Sequence, residues 1–162
     1  MKDDAECKGP WDCAEFISWL VYQEAGILYG CVNDNAAPSE ADAYTGGWRT
    51  DVERLGIRVS VDKAAATAGG IVLRYPRDGA IGHIALCDGK GGTVEAHSTK
   101  RGLIKNTVQG RKWDTGVFVP GIRYDTVLDM PSVRQPDAIY ARNAPNMDRA
   151  IIIEIQKALV SK

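Results

Sequence analysis

Five short apolar runs between residues 70 and 124, each stopped by Gly, Pro or Asp, most constrain what this chain can fold into. They read "GIVLRYP", "AIGHIALCDG", "TVEAHST", "GLIKNTV" and "GVFVPGIRY", and their length and punctuation are those of β-strands. The half before them has a helical character. A helix is expected from Cys13, because Asp12 is a favourable N-cap with Glu15 three positions on, and Gly26 supplies a stop. A second helical piece is expected over Thr50 to Leu55, stopped at Gly56. Helices followed by strands imply an α+β fold with an antiparallel sheet, not a parallel βαβ sheet.

The stretch "GPWDCAEFISWL" puts Cys13 in the first turn of its helix, on the apolar stripe with Phe16, Ile17 and Leu20. There the backbone N–H groups lack intrahelical partners and the dipole is positive, so a thiolate is favoured and spare donors form an oxyanion hole. A small buried hydrophobe is the plainer reading of such a cysteine. The chain has two histidines, His83 and His97, on either side of the Gly-rich turn "CDGKGGT". In a hairpin centred on Lys90, directly opposed residues have numbers summing to 180, as 83 and 97 do. The two imidazoles would then face each other, one able to orient the other. His83, Ala85 and Cys87 share a face with little bulk, leaving room for a helix head or a substrate. Nucleophile Cys13, base His83 and orienter His97 form a generalised triad.

At 162 residues, 44% hydrophobic and 25% charged, the chain is long enough for one domain with a proper core. A net charge of −1 without a basic stripe gives no electrostatic case for nucleic acid, and no run approaches a membrane span. The acidic start "MKDDAECKGP" does not resemble a signal peptide, so synthesis in the cytoplasm is expected. Cys7, Cys13, Cys31 and Cys87 follow no metal or disulfide spacing, although a bridge from Cys7 to Cys31 stays open. A different class of reading has Cys13, His83 and His97, with Cys87, holding zinc in a wall-binding module.

The order of "DC" at a helix start, "GGIVLRYP...GHIALCDG" and "TVEAHST" resembles the NlpC/P60 family of cell-wall cysteine peptidases, over roughly residues 8 to 121. The resemblance implies a papain-like α+β fold without a cofactor, Cys13 as nucleophile, His83 as general base and His97 as the polar third residue. It also implies that Asp12 helps hold the free amine of a stem peptide. The substrate implied is peptidoglycan, cut at a γ-D-glutamyl to diamino acid bond. Three departures bear on substrate: the family's Ser-Gly after the cysteine is Ala14-Glu15, the aspartate of its Gly-Asp-Leu-Val is Gly70, and Ile84-Ala85 follow His83 in place of Val-Gly. They bring the chain closer to the related CHAP amidases, so an N-acetylmuramoyl-L-alanine amidase or an acyl transferase is the alternative. Further cleft candidates are Trp11 at the rim, Tyr44 and Trp48 in the wall, and Arg49 or Arg74 for a substrate carboxylate.

Domain organisation is expected as a catalytic unit over 1–125, a connector over 126–145 and a helix over 146–162. The last carries an apolar stripe of Ile151, Ile152, Ile155, Ala158 and Leu159, and it looks like the first helix of a peptidoglycan-binding domain. A wall-cutting enzyme without a leader implies delivery to the periplasm by phage lysis, a phage tail or a secretion system. An antibacterial effector would come with an immunity protein.

Overall fold

Asp12 caps the first helix as its sequence demands: its Oδ1 accepts the N–H groups of Ala14 and Glu15, each at 2.8 Å, and Glu15 Oε2 accepts the Asp12 N–H at 3.3 Å. In the computed structural model, which describes residues 11–55 and 57–124, this helix, α1, spans Cys13–Ala25. Gly26 ends it with a left-handed φ of 66°. A 3-10 turn at Pro38–Glu40, α2 at Thr45–Leu55 and α3 at Val61–Ala65 are the other helical elements. The strands are β1 at Arg58–Val59, β2 at Ala68–Arg74, β3 at His83–Asp88, β4 at Gly92–Ser98, β5 at Gly102–Thr107 and β6 at Thr115–Val117. They form one antiparallel sheet in the order β1-β6-β2-β3-β4-β5. The class is α+β. The connector over 126–145, the helix over 146–162 and Cys7 lie outside the described residues.

α2 starts at Thr45, five residues before the expected Thr50, and takes in "TGGW". Its glycines allow the close approach, since a Cβ on Gly47 would lie 2.5 Å from the Gly30 carbonyl oxygen. Asp51 secures the contact by accepting the Gly30 N–H at 2.8 Å. The strand β1 and the helix α3 follow Ile57, where no regular element was expected.

The sheet separates two apolar layers. Ile71, Leu73, Ile84, Leu86, Val94 and Val117 pack with Phe16, Ile17 and Leu20 of α1. Full burial of Phe16 and Ile17 is worth roughly 1.5–3 kcal/mol each. On the other face Val72, Ala85 and Cys87 pack with Ala64 of α3 and with Trp113. Thus α1 lies on the Ile84 and Leu86 face, not on the His83 face, because the small side chains of the latter suit the short α3. Nor is α1 buried along one stripe only. Tyr29 and Trp48 cover its far side, where Ser18 Oγ donates to the Tyr29 carbonyl at 2.7 Å and accepts from the Trp48 indole at 2.9 Å.

Candidate active site

The hairpin that carries both histidines is centred on Lys90. Its ladder pairs Leu86 with Val94 and Cys87 with Thr93, the register expected of a turn at Lys90, and ends there, three residues short of His83 and His97, with an irregularity of β4 between Ala96 and Ser98. Asp88 Oδ1 holds the turn by accepting the N–H groups of Lys90, at 2.7 Å, and Gly92, at 2.8 Å. Side chains at 83, 95 and 97 therefore leave the sheet on one face.

His83 is buried, 7% exposed, and its Nε2 is hydrogen-bonded to Oε2 of Glu95. Glu95 is fully buried and receives a fork from Arg111, with Nη1 to Oε1 at 2.6 Å and Nη2 to Oε2 at 2.9 Å. Burial raises the Glu95 carboxyl, but the bonds and charges of His83 and Arg111 outweigh it and hold the group at about 2. An ionised carboxylate only accepts, so Nε2 of His83 carries the hydrogen and Nδ1 keeps the lone pair. Trp113 closes the assembly. Its ring stacks on His83 at 5.9 Å between centroids, and the Arg111 guanidinium lies over it at 4.6 Å.

The orienting contact that sequence gave to His97 is thus made by Glu95. His97 stands beside His83, edge to ring with centroids 6.2 Å apart, and is exposed in the cleft. Glu95 could have been found in the sequence. It sits opposite Ala85 in the hairpin register, an acid inside "TVEAHST", two residues before His97 on the same face. Arg111 and Trp113 follow β5 in a loop, and no local signal links them to His83.

Cys13 and His83 line one cleft of about 760 Å³. The walls include Trp11, Asp12 and Glu15 at the head of α1, Ile81 and Arg74 on one side, and His97 and Arg111 on the other. α1 reaches the end of β3 from the opposite face, where the Ile84 N–H, one residue from His83, acts on the Cys13 thiol to lower it. Burial pushes the Cys13 thiol up to about 11, and the Asp12 carboxylate pushes the same way, against the N–H groups of Ile84, Ala14 and Cys13 itself. The lowering expected from the helix dipole is outweighed, and the resting group is a thiol. Spare donors are also fewer than expected, since Asp12 occupies the N–H groups of Ala14 and Glu15.

Of the wall residues, Trp11 lines the cleft and packs on the buried Trp19 at 5.3 Å between centroids. Trp48 does not line it. Its indole is fully buried in the core and bonded to Ser18, because α2 begins early enough to turn it inward. Tyr44 is 48% exposed but lies outside the cleft lining, and Arg49 pairs with Glu53 at 3.0 Å. For the zinc reading, Cys87 is buried against Ala64, Val72 and Ala85, and no group of three or more His, Cys, Asp or Glu among the described residues is placed to hold a metal ion. Cys31 is buried, with its thiol 3.7 Å from the Tyr29 carbonyl oxygen. Among the described residues no helix is long and apolar enough to cross a membrane.

No protein-family model and no curated protein matches this chain. Among solved structures it is similar to the crystal structure of the NlpC/p60 domain of the peptidoglycan hydrolase SagA, at 23% identity and a TM-score of 0.46, over 67% of this chain and 77% of that one. A likeness of that extent leaves the chemistry to the residues of the cleft.

Proposed function

We propose that this chain is a cysteine hydrolase that cleaves an amide bond in the stem peptides of bacterial peptidoglycan. The observation that carries the reading is His83, bonded through Nε2 to a buried, Arg111-held carboxylate, with Nδ1 left to act in the cleft it shares with Cys13. Cys13 Sγ attacks the scissile carbonyl as its proton passes to Nδ1, and Glu95 stabilises the imidazolium that forms. The oxyanion meets the helix head, where the Cys13 N–H is not used in the Asp12 cap. Collapse breaks the C–N bond, and the imidazolium protonates the leaving amine. A water deprotonated by His83 then hydrolyses the thioester and restores the thiol.

Peptidoglycan is favoured by the order of the "DC", "GHIALCDG" and "TVEAHST" segments, and the γ-D-glutamyl to diamino acid bond is the bond proposed. The cap bonds of Asp12 use Oδ1, which leaves Oδ2 to meet a substrate ammonium. A second reading, cleavage between the sugar and the first alanine, draws on Ala14-Glu15 standing where the family has Ser-Gly. Digestion of purified peptidoglycan with mass spectrometry of the fragments tests this. New diamino-acid amines support the endopeptidase, free lactyl groups on muramic acid the amidase, and unchanged wall material refutes both.

A further inference from the structure

Two guanidinium groups line the cleft, and they differ in what they meet. Arg111 is paired with Glu95 through a two-bond fork. Arg74, the last residue of β2, stands directly opposite His83 in the ladder, so the two side chains leave the same face with Cβ atoms about 5 Å apart. Among the described residues Arg74 belongs to no ion pair, and its hydrogen bond is a long one, from Nη2 to the Ile81 carbonyl at 3.4 Å. Among the described residues none of the nearby acids pairs with Arg74. Asp114 accepts from Arg77 and from the Tyr75 N–H, while Asp12 and Glu15 close the capping box of α1. The end of β2 is also held in place. A Cβ on Gly82 would lie 2.3 Å from Thr45 Oγ1 and 2.9 Å from the Arg74 carbonyl oxygen, so the start of β3 is packed tightly against both.

Arg74 is half-buried as a residue, and its guanidinium, on the strand beside the base, meets no counter-charge among the described residues, so an anionic substrate group would complete it. We propose that Arg74 binds a carboxylate carried by the residue whose carbonyl Cys13 attacks. The inference rests on the hydrolase reading above and gives it a substrate preference. A γ-linked glutamyl residue keeps its α-carboxylate free when its side-chain carbonyl lies in the scissile bond, whereas an α-amidated residue offers Arg74 no charge. The cleft therefore selects free over amidated stem peptides.

The test uses two synthetic stem peptides that differ only in an α-carboxylate or an α-carboxamide on that residue. Wild type favours the carboxylate peptide in kcat/KM by about tenfold to a hundredfold, the range of one charge-assisted hydrogen-bonded contact. Arg74→Gln brings the two peptides level, mainly by raising KM for the carboxylate peptide, and Arg74→Lys retains part of the preference. Binding of both peptides to the Cys13→Ala protein by calorimetry shows the same preference without turnover. Equal kcat/KM values for wild type, or a preference that survives in Arg74→Gln, overturn the anchor and leave the hydrolase standing. Failure of wild type to cut either peptide overturns the hydrolase reading, and equal affinities in calorimetry then remove the anchor as well.

Discussion

Replacing Glu95 by Gln removes one charge from the centre of the site while keeping the side chain's size and one oxygen to face Nε2 of His83. A hydrogen bond to a charged partner is worth about 1.5–3 kcal/mol. At about 1.4 kcal/mol per tenfold, Glu95→Gln should lose roughly tenfold to 150-fold in kcat/KM. Glu95 is 0% exposed, so water cannot take over its role. The fold should survive, because the Arg111 side chain is 22% exposed and can turn toward the cleft water. We expect a stability loss of about 1–3 kcal/mol, below the usual cost of breaking a fully buried pair. That loss depends on pH in a defined direction. The Glu95 carboxyl lies at about 2 in the folded protein against the ordinary 4.5, so it contributes stability above pH 4.5 that is lost as the pH falls toward 2. The gap in melting temperature between wild type and Glu95→Gln should be full at about pH 6 and narrow steadily below pH 4.5. Stem-peptide kinetics and thermal melts across this range measure both quantities. A variant with wild-type kcat/KM, or a melting gap independent of pH, would refute the assignment of Glu95 as the partner of His83.

Two further outcomes follow from the same geometry. With the tautomer of His83 fixed by Glu95, His97→Ala should reduce kcat by less than Glu95→Gln, under about tenfold, and an equal or larger loss in steady-state kinetics would return the orienting role to His97. Because burial first and Asp12 second raise the Cys13 thiol, Asp12→Asn, which keeps a good N-cap, should speed alkylation of Cys13 by iodoacetamide at pH 8; slower alkylation with an intact fold would contradict that electrostatic account.

The parts of the site written in local sequence were legible. Asp12, Glu15 and Gly26 specify the ends of α1 by hydrogen bonds within a few residues, and the turn around Lys90 specifies a register that carries through to Leu86 and Val94. Glu95 needed the same register applied one step further, from the histidines to the acid between them. Arg111, Trp113 and the inward turn of Trp48 were not legible, because each depends on long-range packing. The guanidinium of Arg111 reaches Glu95 across 16 residues, and the Trp48 indole reaches Ser18 across 30. The raised thiol of Cys13 was hidden for a related reason: the helix head is visible in sequence, but the burial that outweighs it comes from the whole fold.

Covalent catalysis by Cys13 is tested most directly by the rate at which Cys13→Ala hydrolyses stem peptides, measured beside wild type with circular dichroism to confirm the same fold. We predict a loss of at least about a thousandfold, roughly 4 kcal/mol or more of barrier, with an unchanged spectrum. A correctly folded Cys13→Ala protein that cuts the same bond at a comparable rate would contradict the account.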